Sequence, residues 1–202
     1  MRLDQLEAVL GIKFPKKWRE IHSKGVMEWM ELSIQKFREN REKYINDPNS
    51  FFMLDCDCEP LFFEDIPKRI EELMEWISWR EEDEGVLFNG KMRLIPFAQN
   101  GGGDLYCFLY EKDMEEPRIV LYYHDDYSGP VLEAESFDEF LYVILLQSAS
   151  WSEDIDNDYW KNHYQLLSDI YKDKIDGKTL EEMAEEYENS VPRCVDIWCS
   201  DK

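Results

Sequence analysis

One histidine and three aspartates of this chain form a group whose residue types could bind a metal ion. His124, Asp125 and Asp126 are consecutive, and Asp104 could join them across the end of a sheet. One imidazole with several carboxylates suits a hard or borderline divalent ion, and a metal-dependent hydrolase could use Asp104, His124 and Asp125. Consecutive strand residues alternate between faces, however, and no second histidine stands at ligand spacing. The pattern therefore favours a solvated turn or a contact surface over a metal site.

Three consecutive glycines, Gly101–Gly103, stand immediately before Asp104. A phosphate-binding loop uses glycines so that backbone N–H groups can approach oxygens, and a helix with Lys or Ser/Thr normally follows. Here a predicted strand follows, without Lys or Ser/Thr, and the surroundings are acidic. The glycines instead predict a tight connection between strands with positive φ angles.

No serine or cysteine stands in a recognisable nucleophile context. Paired-carboxylate hydrolysis stays open, because any two of the 45 acidic residues could meet in space. The sequence therefore points to a binding protein more than to an enzyme, and we expect no catalytic residues, no metal and no cofactor.

The whole chain has a net charge of −22. Its acidic residues are concentrated after the first quarter of the sequence. Residues 1–50 hold ten Lys/Arg and eight Asp/Glu, which leaves 13 and 37 for residues 51–202. Such a field repels nucleic acid and anionic membranes, and it attracts a basic protein. Acidity that serves only solubility is the alternative interpretation.

The cysteines and the N-terminus indicate the cellular compartment. Five cysteines cannot all pair, and neither Cys56-Asp57-Cys58 nor Cys194 with Cys199 has the spacing of a zinc knuckle, so we expect free thiols. No run approaches the roughly eighteen apolar residues of a membrane span. The N-terminus carries acidic residues where a signal peptide would be apolar. We expect a cytoplasmic protein.

Four short strands are predicted in the middle of the chain. They are Met92–Ala98, Leu105–Tyr110, Ile119–Tyr123 and Val131–Ala134. Their connections are too short for parallel crossovers, so the sheet should be antiparallel. Ser136 and Glu139 form a capping box before an apolar helix that should pack on one sheet face.

Two helical segments are predicted before the sheet. The pattern from Val26 to Asn46 predicts one long helix. A second helix begins at Ile66-Pro67 and ends in an acidic run, Glu81 to Glu84, where the helix dipole disfavours negative charge. Negative charge kept at an unfavourable helix end indicates that these residues serve another purpose, such as contact with a partner. A solvated loop is the alternative interpretation. Trp76, Trp79 and Trp198 are the tryptophans expected at an interface, with core packing as the alternative.

The chain changes character after Gln147. It becomes acidic and polar, then predicts a helix from Tyr159 to Tyr171 and a capped helix that begins at Thr179. The apolar content is too small for an independent core. We therefore predict one domain over residues 1–147 and an acidic helical C-terminal extension, residues 148–202, packed on it.

Four motifs resemble signatures of the SUKH superfamily, the group that contains the yeast Smi/Knr cell-wall regulator and many bacterial immunity proteins. The first is Leu10-Gly11-Ile12-Lys13-Phe14-Pro15 with Trp18 and Ile21, and the second is Ile95-Pro96-Phe97-Ala98 with Gly101–Asp104 and Tyr106-Cys107-Phe108. The third is Val120 with Tyr123-His124-Asp125-Asp126, and the fourth is Ser136-Phe137 with Phe140-Leu141. They stand in the order of the family. Phe14 replaces the usual leucine, residues 26–90 are longer and more helical than the usual region, and the tail lies outside the resemblance.

The resemblance implies an α+β fold, a twisted antiparallel sheet with surrounding helices, and a non-catalytic role. Bacterial relatives resemble immunity proteins that neutralise a cognate toxin, often a nuclease. We therefore expect a partner that is a basic toxin domain, a nuclease, blocked sterically and electrostatically, with no nucleic acid or membrane as partner. A regulatory scaffold of the yeast type is the alternative. The expected contact residues are Glu81, Glu82, Asp83, Glu84, Asp104, Asp125 and Asp126.

Overall fold

The computed structural model describes residues 1–51, 56–112, 114, 116–125, 129–151 and 157–199. The helices described are α1 Leu3–Leu10, α2 Lys16–Ser23, a 3₁₀ turn Glu28–Glu31, α3 Ile34–Glu39, α4 Arg41–Ile45, α5 Ile66–Glu84, α6 Phe137–Trp151, α7 Asp158–Leu166, α8 Asp169–Ile175 and α9 Leu180–Glu188. The strands described are β1 Glu59–Pro60, β2 Leu87–Phe88, β3 Met92–Gln99, β4 Leu105–Glu111, β5 Arg118–Tyr122, β6 Val131–Ala134, β7 Arg193–Cys194 and β8 Trp198–Cys199. Over these ranges, no helix combines the length and apolarity needed to cross a bilayer.

The fold is α+β, with an antiparallel sheet in the order β1-β3-β4-β5-β6-β7. The four strands predicted from sequence are present, each within a residue or two of its predicted ends. Pro96 lies in β3, an inner strand, where its missing N–H would leave a gap in the ladder. The strand accommodates Pro96 through a register shift between Pro96 and Ala98, which leaves Phe97 without a partner residue in β4.

The two faces of the sheet bury separate clusters. On one face Trp18 of α2 is fully buried, and its ring lies 5.0–5.6 Å from those of Phe97, Phe108 and Phe137. This cluster also contains the buried side of α6. On the other face, Leu73 and Ile77 of α5 pack with β3, β4 and β5. The predicted packing of α6 on one sheet face is confirmed.

The prediction of one long helix from Val26 to Asn46 is wrong. The segment forms the 3₁₀ turn, then α3, then α4. The extended Leu32 and Ser33 interrupt it, and the Ser33 hydroxyl accepts from the backbone N–H of Lys36 as the N-cap of α3. A serine at this position offers its neighbours a hydrogen bond that competes with helix continuation.

The C-terminal segment adds to both the core and the sheets. α9 packs against α6, and Trp160, Leu166 and Met183 are buried in the same cluster as Trp18. β7 pairs with β6, whereas β8 pairs with β2, which is more than a hundred residues earlier in the chain. α6 runs through the predicted boundary at residue 147, and the division into two regions there stays a prediction.

Candidate partner-binding surface

Asp104 anchors the connection between β3 and β4. Its Oδ2 accepts from Asn100 Nδ2 at 2.9 Å, and its Oδ1 lies 2.8 Å from His124 Nδ1 and accepts from the His124 backbone N–H at 3.2 Å. Gly103, at φ +91°, completes the turn. Only 7% of Asp104 is exposed. The residue is therefore placed inside the protein, where its carboxylate positions the glycine loop.

The three residues considered for a metal site do lie together. One potential ligand atom from each of Asp104, His124 and Asp125 falls within 4.8 Å of the other two. Both Asp104 oxygens already accept hydrogen bonds, and His124 Nδ1 is engaged with Asp104. A divalent ion bound through His124 Nδ1 would have to displace the His124–Asp104 contact, whereas Nε2 takes no part in that contact. In the structure, hydrogen bonds between Asp104 and His124 connect the turn before β4 to the turn after β5.

Two of the four acidic residues at the end of α5 hold the local structure. The Glu81 carboxylate accepts from the backbone N–H of Phe88 at 2.7 Å. The Glu84 carboxylate accepts from Arg80 Nε at 3.0 Å, and the buried Arg80 guanidinium lies 4.6 Å from the centre of the Trp198 ring. These contacts offset the unfavourable position of negative charge at a helix C-terminus.

The other two acidic residues belong to an exposed face. Glu82 and Asp83 are exposed, and neither forms an ion pair with any residue in the described ranges. One turn earlier lies Trp79, 61% exposed, with exposed Glu75 beside it. We call Glu71, Glu75, Trp79, Glu82 and Asp83 the α5 face.

The position of the predicted His-Asp-Asp turn relative to α5 is set by Trp76. Its ring stacks on Tyr122 at 6.4 Å and lies 5.6 Å from the His124 ring. Burial raises the pKa of Tyr122 to about 12, so this residue stays neutral. Asp125, the residue after His124, is exposed. Asp126 lies outside the described residues.

The structure therefore divides the residues expected to contact a partner. Glu82, Asp83 and Asp125 are exposed, Glu84 is exposed but pairs with Arg80, and Glu81 and Asp104 accept hydrogen bonds from groups within the protein.

The family model described as the SMI1 / KNR4 family (SUKH-1) matches residues 2–142. The chain belongs to this family. No curated protein and no solved structure gives a significant match. The SUKH-1 match includes the whole α5 face and ends within α6, so the SUKH-1 region supplies all of the candidate surface.

Two members of the α5 face in this SUKH-1 protein were missed from the sequence. Glu71 and Glu75 are exposed, and with Glu82 they follow the i, i+4, i+11 spacing of one helix face. The same spacing, read opposite the buried Leu73 and Ile77, would have identified them.

Proposed function

We propose that this SUKH-1 protein is an immunity protein that binds and neutralises a cognate basic toxin domain, a nuclease. The observation that carries the proposal is the α5 face, where an exposed tryptophan lies among four carboxylates that form no ion pair with any described residue. Interface energy concentrates on a few large side chains, with tryptophan prominent among them. Acidic residues around such an anchor speed the encounter with a basic partner and set its orientation.

A nuclease is the toxin class that best complements this surface. Its active site carries Lys and Arg that bind phosphates, and acidic side chains can occupy the same groups. In this proposal Trp79 fills an apolar pocket of the toxin, while Glu75, Glu82 and Asp83 pair with its basic side chains. The chain itself performs no chemistry, because blocking requires only that the toxin surface be covered.

Membership of the family is also consistent with a second function, that of a regulatory scaffold of the yeast type. The two functions differ in their partner. An immunity protein binds a toxin encoded by a neighbouring gene and protects the cell that makes it. A scaffold binds signalling proteins and gives no such protection.

The test is binding and protection with the toxin domain encoded beside this gene. The double variant E82K/D83K reverses two exposed charges of the α5 face, and E185K/E188K makes the same change in net charge on exposed positions of α9. We expect the α5 variant to lose binding and cellular protection, and the α9 variant to keep both. Binding by the wild type should also slow steeply with ionic strength, since steering by exposed charges is screened.

Retention of full protection by E82K/D83K would show that the toxin binds elsewhere. Failure of the wild type to bind or protect, together with co-purification of a signalling protein, would favour the scaffold function.

A further inference from the structure

A cleft of about 460 Å³ lies on the side of the sheet opposite the α5 face. Its floor is formed by Tyr106 of β4, Leu121 of β5 and Glu133 of β6. α6 forms one wall, and α9 with the segment leading to β7 forms another. Its volume is in the range of small-molecule sites. The cleft requires the C-terminal extension, because Tyr187 and Arg193 lie outside the SUKH-1 match.

Glu133 occupies a bulge at the floor of this cleft. Ala134 pairs with Ile119 and Leu132 pairs with Val120, which leaves Glu133 between them with no partner residue in β5. A bulge reorients a side chain relative to the regular alternation of a strand, and bulges are frequent next to binding sites. Glu133 and Ala134 consequently both line the cleft.

The neighbouring polar groups form hydrogen bonds, whereas the Glu133 carboxylate forms none with the described residues. Tyr106 donates to the Asp57 carbonyl at 3.1 Å, Gln147 Nε2 donates to Tyr187 Oη at 2.7 Å, and Tyr142 donates to Glu186. Within the described ranges, no group donates a hydrogen bond to the Glu133 carboxylate or forms an ion pair with it. Such a half-buried carboxylate is costly unless a donor is supplied to it.

The lining of the cleft is acidic and rich in phenol rings. Besides Glu133, the carboxylates are Asp57, Glu135, Glu139 and Glu186. The rings are Tyr106, Tyr123, Tyr142 and Tyr187. The one cation in the described lining is Arg193, which pairs with Glu135 at 3.1 Å. Beside the lining, Lys178 pairs with Glu186 and lies 6.0 Å from the centre of the Tyr142 ring. Carboxylates together with tyrosine faces favour an organic cation.

We propose that this cleft binds a primary ammonium or guanidinium group, which pairs with Glu133 and packs against the tyrosine rings. Two sources carry this chemistry, a free amine such as a polyamine and a Lys or Arg side chain of a bound polypeptide. The inference stands apart from the proposed function, since it uses the opposite side of the sheet and its test needs no toxin.

The pH dependence of binding supplies a signature of Glu133. Burial raises the pKa of this carboxyl to about 7. Burial also raises the pKa of the facing groups Cys58, Tyr106, Tyr142 and Tyr187, which stay neutral near pH 7. The remaining facing groups are Tyr123, the four carboxylates named above, Arg193, and Lys178, which pairs with Glu186. No histidine is in the described lining. Binding should therefore tighten about tenfold from pH 6 to pH 8, as Glu133 ionises.

Calorimetric titration of the full chain with agmatine and with spermidine, and separately with a short lysine- and arginine-containing peptide, tests the inference. The variant E133Q removes the charge and keeps the size of the side chain. E185Q is its matched control, because Glu185 is an exposed acid of α9 outside the cleft. We expect saturable binding that E133Q weakens at least about tenfold and E185Q leaves unchanged.

The outcomes separate the two sources. Glu133-dependent binding of the free amines identifies a small-molecule ligand, and Glu133-dependent binding of the peptide alone identifies a side chain of a partner. Equal effects of E133Q and E185Q would show only general attraction to an acidic protein and would overturn the proposal. The absence of saturable binding up to about 10 mM of every probe would also overturn it. Unchanged unfolding temperatures of both variants at pH 4, where Glu133 is protonated in the folded and the unfolded chain, would show that they are folded.

Discussion

His124 Nδ1 lies 2.8 Å from Asp104 Oδ1, and this contact joins the connection before β4 to the turn after β5. Leu105 and Tyr122, the neighbouring ends of the two strands, are partners in the ladder. The contact therefore closes the end of the sheet where Asp125 is exposed. Asp104 and His124, which resemble part of a metal site in sequence, connect two turns through this contact.

The variant D104N tests this structural role. An amide in place of the carboxylate turns an NH₂ group toward a neighbouring donor and removes the charge that His124 faces. We expect a loss of about 1–3 kcal/mol in the free energy of unfolding, measured with urea. D125N, at an exposed position in the same turn, should change stability by less than about 0.5 kcal/mol. A fall in melting temperature on adding a chelator to the wild type would revive the metal interpretation.

Trp79 is predicted to be the anchor of the toxin interface. Removing its indole in W79A should weaken binding by about 2 kcal/mol or more, roughly 30-fold, because a buried aromatic anchor carries a large share of interface energy. Stability should hardly change, since the side chain is 61% exposed in the free protein. Calorimetry or surface plasmon resonance with the toxin domain measures the effect.

W151A is the matched control for that experiment. Trp151, at the end of α6, is also an exposed tryptophan, at 52%. Its removal should leave toxin affinity unchanged. Equal losses in W79A and W151A would show that neither tryptophan identifies the contact surface.

His163 should make the protein sensitive to acid. It is buried on α7, with Nδ1 2.8 Å from the Tyr159 carbonyl oxygen and its ring stacked 5.9 Å from Phe51. Burial lowers its pKa to about 4 from the ordinary 6.5. The unfolded chain therefore binds more protons between these values, and stability should fall by up to about 3 kcal/mol as the pH drops from 6.5 to 4. Urea unfolding at a series of pH values should show this slope reduced in H163Q.

Glu133 should give stability the opposite pH dependence. Its pKa is raised to about 7 from 4.5, so the folded protein binds more protons than the unfolded chain between these values. Stability should fall as the pH rises through this range and then level off. E133Q should therefore be more stable than the wild type above pH 7, by about 1–2 kcal/mol after allowance for solvent screening, and nearly equal to it below pH 4.5. A constant difference between the two proteins across this range would contradict the assignment.

Elements set by neighbouring residues could be predicted from the sequence. The four central strands follow from short apolar runs with brief connections, and the Thr179–Glu182 capping box forms as expected. The structure of the segment from Val26 to Asn46 could not be predicted in this way. Its apolar spacing fits one helix, whereas Ser33 and Asn40 are N-caps that divide the segment into separate helices. The apolar periodicity shows which residues can be buried on one helix face, whereas a capping residue such as Ser33 determines where the helix begins.

The sequence by itself determined the family, the antiparallel sheet and the excess of acidic residues. Only the tertiary structure decided the surroundings of each acid: Glu82, Asp83 and Asp125 are exposed, Glu84 is exposed but pairs with Arg80, and Glu81 and Asp104 accept hydrogen bonds within the protein. It also placed Glu133 in a bulge beneath α9, more than forty residues away in the chain. The physical reason is that burial and hydrogen-bond partners arise from contacts between distant segments, which local composition does not encode.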